Sequence, residues 1–317
     1  MALGKKPIGK VWFNGCFTLP ERAVESAFIH TTHYGDGVFE GIRFYETEKK
    51  LPVVFRLQDH IERFFKSAES IYMQIPFSKR EITTAVLETV MQSGLKSGYI
   101  RPVAYFGEGL GVDPKDCEVK VAIGVLDWPA YLGDKPTHVK IPSLMRIHPK
   151  AEDVEAKICG QYANSSRATR QVRLQYYDEA LFLDYENFIA EGSGQNVFFV
   201  RDNTLLTPQR GAILLGITRD SLIKIAEDER IKVIEKKISL EEACAADEAF
   251  FCGTATEVAP IASITDKGNV QRKMKHEFGP ITKKLKTMYS EIVRGKNPKY
   301  REWLHYIYLK SRELINV

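Results

Sequence analysis

A lysine, a glutamate and two glycine–threonine turns carry the chemical interest of this chain. In 154-VEAKICGQYANSS-166, Lys157 lies between Ala156 and Ile158, just before Gly160 and a predicted helix. A lysine in such apolar company is either a strand-edge cation with its head in water, or a desolvated amine. The desolvated amine is easier to deprotonate and can form a Schiff base with an aldehyde. Glu191 stands in 188-FIAEGSGQNVFFV-200, flanked by apolar runs and followed by Gly192 and Gly194. A turn explains the glycines, which tolerate backbone angles that other residues avoid. It does not explain the carboxylate, which is either a solvated hairpin tip or a buried acid in need of a partner. The first of the two turns, 216-GITRDS-221, opens a predicted helix, where outward N–H groups and the helix dipole favour an anion. The second, 253-GTAT-256, offers small residues and hydroxyls of the same kind. Arg56, in 55-FRLQDHIERF-64, follows an apolar strand and is expected to point into a cleft. An amine for an aldehyde, an acid for a ring nitrogen and a site for phosphate are what pyridoxal 5'-phosphate asks of a protein. In that scheme Glu191 keeps the ring nitrogen protonated, which makes the ring an electron sink.

The elements that must position these groups alternate between strand-like and helical patterns. Strand-like 51-LPVVFRL-57 precedes apolar positions Ile61, Phe64, Phe65, Ala68, Ile71, Tyr72 and Ile75, which recur at helical spacing. A second helix is predicted from Ser78, with Glu81 completing a capping box, to about Leu95. The segments 99-YIRPVAYFG-107, 119-VKVAIGVL-126 and 137-THVKIPSLMRI-147 read as strands. A helix over 161–177, a β-rich region over 180–207, a helix from Thr218 to Arg230, a strand–turn–strand over 248–264 and a last helix over 276–294 complete the pattern. The stretch 127-DWPAYLGDKP-136, rich in Pro, Gly and aromatics, divides the chain into a domain over 1–126 and another over 137–317. Both are α+β, with an antiparallel sheet in the first and a more mixed or barrel-like sheet in the second.

Bulk properties narrow the functional classes. At 317 residues the chain exceeds the size at which single cores stop growing. A net charge of +4 on 45 basic and 41 acidic residues gives no reason to expect a nucleic acid or an anionic membrane as partner. No apolar run is long enough to span a membrane, and the first residues lack the apolar core of a secretory signal. Five cysteines without a C-x-x-C pair suit neither a disulfide framework nor a zinc site, and point to reduced thiols in a cytoplasm. Cys159 has no activating histidine near it in sequence and reads as a small hydrophobe. His30 and His33 share a helical face without further ligands, so no metal is expected. The glycines of 107-GEGLG-111 lack the spacing of a dinucleotide fingerprint and read as a loop.

Taken in order, 33-HYGDGVFEGIR-43, 56-RLQDHIERF-64, 99-YIRP-102, Lys157, 191-EGSGQN-196, 216-GITRDS-221 and 253-GTATEV-258 resemble the class IV aminotransferases. Within them they are most similar to the branched-chain amino-acid aminotransferases, and the resemblance runs from about Trp12 to the C-terminal helix. It implies fold type IV, with a smaller N-terminal domain and a larger cofactor-binding domain built on a barrel-like mixed sheet. It implies that Lys157 holds pyridoxal 5'-phosphate as a Schiff base and moves the substrate proton, while Glu191 pairs with the ring nitrogen. By the same resemblance Tyr162 bonds the ring hydroxyl, and Arg56, Ile217, Thr218 and Thr254 bind the phosphate. Tyr34, Phe39, Tyr99 and Arg101 would meet the substrate, with Thr254 and Ala255 offering backbone donors to its α-carboxylate. Tyr131 matches a loop position that approaches the neighbouring subunit's site, so a dimer at least is implied. The implied reaction exchanges the amino group of Leu, Ile or Val with 2-oxoglutarate, so the partners are small amino acids and 2-oxo acids. A D-amino-acid or chiral-amine aminotransferase, an aminodeoxychorismate lyase, or a non-catalytic cofactor-binding protein are the alternatives. Lys157 and Glu191 do not separate the enzymes among these; 33-HYGDGVFEGIR-43 and 99-YIRP-102 favour the branched-chain group.

Overall fold

The computed structural model describes residues 6–133 and 135–307. Two sheets organise it. The first is antiparallel throughout, in the spatial order Leu304–Tyr306, Pro52–Phe55, Ile42–Glu46, Gly98–Phe106, Val119–Leu126, Val11–Phe13, Cys16–Thr18, and Val38–Phe39 pairs beside Gly98–Phe106. Helices Leu57–Ser70 and Lys79–Ser93 cover one face, packing Ile61, Phe64 and Val86 on Phe44, Ile100 and Val121. The second helix starts at the expected capping box: the Ser78 hydroxyl accepts the Glu81 N–H, and the Glu81 carboxylate accepts the Ser78 N–H at 2.7 Å. It stops at Gly94, whose φ of 69° is a conformation that glycine adopts freely. The final strand of this sheet, Leu304–Tyr306, belongs to the region 137–317, so the chain's second part does not keep to its own sheet.

The second sheet is mixed. Its order is Ile189–Gly192, Glu179–Leu183, Thr137–Lys140, Glu257–Thr265, Glu248–Gly253, Asn196–Arg201, Thr204–Pro208, Val233–Lys236, with Gln271–Lys273 added beside Glu257–Thr265. Three of its pairings are parallel. Strands Glu179–Leu183 and Asn196–Arg201 are buried on both faces over most of their length, which is why 180-ALFL-183 and 197-VFFV-200 read as unbroken apolar runs rather than alternations. The sheet curls until its edge strand Ile189–Gly192 returns against Asn196–Arg201 and Thr204–Pro208. The stretch 188–200 is therefore no isolated hairpin: its two strands ladder with different neighbours, and a tight turn closed by the Gly192 N–H on the Gln195 carbonyl at 2.7 Å joins them. Helices Ile217–Asp228 and Pro280–Ile292 pack Leu222, Ile225 and Leu285 against Tyr45, Val53 and Phe55 of the first sheet, closing the two halves on each other. No helix among the described residues is long and apolar enough to cross a membrane.

Candidate active site

Lys157 reaches its place through the alternation of an extended segment. Ala156 and Ile158 enter the first core, so Lys157 between them is turned the other way. The segment is pinned to 35–39 by backbone bonds: Phe39 N–H to the Lys157 carbonyl at 3.2 Å, Cys159 N–H to Gly37 at 2.7 Å and Gly160 N–H to Gly35 at 2.7 Å. A β-carbon on Gly35 would lie 2.8 Å from the Gly160 α-carbon, so the close approach requires glycine there. The Lys157 Nζ then donates to the Tyr162 hydroxyl at 2.6 Å and lies 4.8 Å from the Phe39 ring centroid.

Glu191 is buried in the same cleft, 5% exposed, which removes the solvated-tip reading. Its Oε1 accepts from Arg146 Nε at 2.7 Å. Its Oε2 accepts from the Leu214 N–H at 3.1 Å and from Asn196 Nδ2 at 3.2 Å. Burial pushes this carboxyl above the usual range, against the pull of Arg146. Gly216 keeps the arrangement compact, since a β-carbon there would lie 2.1 Å from the Asn196 side-chain oxygen.

Opposite stands the start of helix Ile217–Asp228. Its N-cap, Gly216, supplies no side-chain cap, so the first-turn N–H groups are left for another acceptor. Ile217, Thr218, Thr254 and Ala255 line the cleft there. The guanidinium on this wall belongs to Arg63, not to the expected Arg56. Arg56 adopts φ 51° as the strand Pro52–Phe55 ends, and its side chain binds Asp59 (2.7 and 3.0 Å), Asp220 (2.7 Å) and Ser221 (3.1 Å). Seven residues further along, Arg63 donates to the Leu215 carbonyl at 3.2 Å and to both oxygens of Glu40, at 2.5 and 3.0 Å. Glu40 is fully buried and also meets His60 Nδ1 at 2.8 Å and the Gly41 N–H at 3.1 Å. Burial alone would raise its carboxyl, but Arg63 and His60 prevail and hold it well below the carboxylate range.

An outer cavity of about 1210 Å³ opens from this cleft, with Lys157, Tyr162, Tyr99 and Ala255 common to both. Phe39, Tyr99, Trp128 and Tyr131 form its aromatic side, and the Arg101 guanidinium lies 4.6 Å from the Phe39 centroid. One expectation, that for Tyr34, changes here. Tyr131 lines the cavity of its own chain, docked by its N–H on the Ala255 carbonyl at 2.8 Å and by its hydroxyl on Arg173 at 2.7 Å. Tyr34 lines neither space; it is 45% exposed and its hydroxyl accepts the Gly111 N–H. Burial pushes the Cys159 thiol up to about 11, so it stays protonated beside the lysine.

The groups at the inner cleft suit pyridoxal 5'-phosphate. They are an amine, a buried acid with fixed geometry, an uncapped helix start and a guanidinium, around one cleft. In addition, Arg146 Nη1 is buried there without a hydrogen-bond partner among the described residues. Sequence reasoning gave no role to Arg63, Glu40, Arg146 and Asn196. For Arg63 a signal existed, because His60 and Arg63 share a helix face that a nearby buried acid would need.

The family model for amino-transferase class IV matches residues 37–264. The branched-chain-amino-acid aminotransferase of Pseudomonas aeruginosa is 39% identical over 302 residues, 93% of this chain and 96% of that one. The branched-chain aminotransferase of Thermoproteus uzoniensis, solved with norvaline, has a TM-score of 0.89 at 41% identity, over 96% of this chain and 100% of that one. The branched-chain amino acid aminotransferase of Thermobaculum terrenum, solved in its PLP-bound holo form, has a TM-score of 0.89 at 34% identity, over 96% and 100% of the two chains. With the family model over most of its length and such relatives over nearly all of it, the chain belongs to the branched-chain aminotransferases of the class IV family.

Proposed function

We propose that this protein transfers amino groups between branched-chain L-amino acids and 2-oxoglutarate with pyridoxal 5'-phosphate. The observation that carries the reading is the meeting of the Lys157 amine, the buried Glu191–Arg146 pair and an uncapped helix start in one cleft. When bound, the cofactor supplies an aldehyde that takes up the amino group and a conjugated ring that receives the electron pair left at the substrate α-carbon. Lys157 Nζ holds the cofactor and, once released, carries the proton to and from that carbon. Tyr162, 2.6 Å from the amine, orients it. Glu191, kept in place by Arg146, Asn196 and the Leu214 N–H, holds a proton at the ring nitrogen. Arg63, Ile217 and Thr218 bind the phosphate, with Thr254 on the facing turn.

In the outer cavity, Phe39, Tyr99, Trp128 and Tyr131 give an aliphatic side chain a dry wall. Arg101, stacked on Phe39 and Tyr99, is the partner for the second carboxylate of glutamate. The chain works as a homodimer at least. Support for this comes from Phe28, Leu110 and Val112, which are 63, 65 and 85% exposed. They gather where loop 107–113 lies on the short helix His30–Tyr34, Phe28 stacking on His33. Five free cysteines fit a reducing compartment such as the cytoplasm.

The test is an amino-donor panel with 2-oxoglutarate, run on wild type and Lys157→Ala. Leucine, isoleucine and valine should be the best donors. The variant should lose turnover and the absorbance of the lysine-bound cofactor while keeping its fold. An unimpaired Lys157→Ala enzyme, or a preference for D-amino acids, would overturn the reading.

A further inference from the structure

Helix Tyr162–Arg173 runs along the outer cavity. Tyr162, Ser165, Ser166, Thr169, Arg170 and Arg173 all line it, a spacing of three or four residues that sets them on one face. The face begins at the amine, where the Tyr162 hydroxyl lies 2.6 Å from Lys157 Nζ. It ends in water, because Arg170 and Arg173 are exposed. At about 1.5 Å per residue, Arg170 stands roughly 12 Å along the axis from Tyr162. A long side chain on a helix leans back over the preceding turn, so the Arg170 guanidinium is carried toward Ser166 and the amine. Ser165 and Ser166, which lie between, are small and leave the way open.

The charges on this cavity are unbalanced. Its cations are Lys157, Arg101, Arg170 and Arg173, and its acid among the described residues is Glu179. Glu179 is fully buried and its oxygens are already taken, by the Ser193 hydroxyl at 2.7 Å, the Ala180 N–H at 2.9 Å and Gln195 Nε2 at 3.0 Å. Arg173 is tied down as well, donating to the Tyr131 hydroxyl at 2.7 Å and to the Asp178 carbonyl at 3.2 Å, with Glu179 4.0 Å away. Two guanidiniums are left without a carboxylate among the described residues. Arg101 is the inner one: its Cζ and Lys157 Nζ lie 4.6 and 4.8 Å from the same Phe39 centroid. Arg170 is the outer one, and it makes no ion pair or side-chain hydrogen bond among the described residues.

Two guanidiniums at two depths match two lengths of acidic side chain. Glutamate's distal carboxylate stops at the inner one, and an acid with more methylenes reaches the outer one. We propose that Arg170 forms an outer subsite for the distal carboxylate of 2-amino dicarboxylates longer than glutamate, and that the enzyme transaminates these acids, 2-aminopimelate representing the class. The added methylenes lie along the aromatic side formed by Phe39, Tyr99 and Trp128. In the overall exchange the donor's C–N bond breaks and its α-hydrogen leaves as a proton. The nitrogen passes to 2-oxoglutarate, whose α-carbon gains a proton, so the products are 2-oxopimelate and glutamate and no oxidant is consumed. The inference rests on the aminotransferase reading above and widens its substrate class.

The test uses the holoenzyme of wild type, Arg170→Gln and Arg170→Lys. Half-reactions with leucine, glutamate and 2-aminopimelate are followed by cofactor absorbance, and the Kd of pimelate, which has no amino group to react, is measured by calorimetry. Wild type should react with 2-aminopimelate at no less than a tenth of its efficiency with glutamate. Arg170→Gln should lower the 2-aminopimelate efficiency at least fivefold, through weaker binding rather than a slower maximal rate, and should raise the pimelate Kd likewise. Leucine and glutamate should stay within twofold of wild type. Arg170→Lys should fall between, because an ammonium keeps the charge without the guanidinium fork. A wild type that reacts with glutamate but not with 2-aminopimelate would overturn the subsite. So would an Arg170→Gln enzyme that loses nothing, or that loses equally with all three donors, which is the mark of a general field at the cavity mouth. A wild-type holoenzyme that reacts with neither leucine nor glutamate would instead remove the aminotransferase reading, and this inference with it.

Discussion

Arg63 and Arg56 sit seven residues apart, and replacing each separates two accounts of phosphate binding. Arg63→Met takes a guanidinium out of the cleft wall and leaves Glu40, 0% exposed, with only His60 and the Gly41 N–H. Two losses follow. Truncating one partner of a desolvated charge pair costs about 2–5 kcal/mol, so at about 1.4 kcal/mol per tenfold the cofactor Kd should rise roughly 30- to several-thousand-fold. Stranding a buried carboxylate should cost the apoprotein about 3–5 kcal/mol of stability. Combining Arg63→Met with Glu40→Gln removes the stranded charge. The double variant should therefore regain part of the stability but not the cofactor affinity, which assigns the affinity loss to the phosphate contact. Arg56→Ala breaks pairs with Asp59 and Asp220, 46 and 66% exposed, each of the kind that contributes about 0–1 kcal/mol. Its cofactor Kd should stay within about threefold of wild type. Titrating the apoprotein with pyridoxal 5'-phosphate by absorbance reads the affinities, and thermal unfolding of the apoprotein reads the stabilities. The reasoning fails if Arg56→Ala weakens cofactor binding as much as Arg63→Met does, or if the double variant binds cofactor like wild type.

Arg101→Leu should raise KM for glutamate and 2-oxoglutarate by roughly 30-fold or more while the leucine half-reaction suffers much less, since only the dicarboxylate substrates bring a second carboxylate to that guanidinium. Single-turnover rates with each donor read the difference, and equal losses would mean that Arg101 organises the site instead. Glu40 should leave a mark on acid stability. Its folded carboxyl titrates well below its ordinary 4.5, so its contribution is complete above that value and is lost as pH falls through the folded one. Glu191, raised by burial, runs the other way, stabilising below its ordinary value and losing that contribution as pH rises. The margin in Tm of the wild-type apoprotein over Glu40→Gln should therefore shrink as pH is lowered from 7 to 3, and a constant margin would show that Glu40 is not ionised in the fold.

Which parts of this site were legible in the sequence depends on how far away the cause of each position lies. Lys157 and Glu191 announce themselves because each breaks a local rule: a polar group interrupts a segment whose neighbours are core residues. The Ser78–Glu81 capping box is equally local, and it forms as read. The partner of Glu191 is another matter. Burial demands one, but Arg146 lies 45 residues earlier and Leu214 23 residues later, and only the curl of the second sheet brings both to the carboxylate. The same curl gives the two strands of 188–200 separate partners: Ile189–Gly192 pairs with Glu179–Leu183, and Asn196–Arg201 with Glu248–Gly253 and Thr204–Pro208.

Arg56 shows how a sound local signal misleads. An arginine after a buried strand does have to leave the core, but the direction is set by one backbone angle, φ 51°, which turns it to Asp59 and Asp220. Arg63 is aimed at the cleft by Glu40, from a strand-end 23 residues away, and neither residue stands out in its own neighbourhood. Tyr131 depends on the same kind of distant contact: the Ala255 carbonyl and the Arg43 guanidinium dock its loop over the outer cavity. The groups that bear the chemistry are thus written locally, as exceptions to burial. The groups that aim them are ordinary arginines and acids, whose roles exist only after distant strands have met, as Arg43 and Thr254 do across 211 positions.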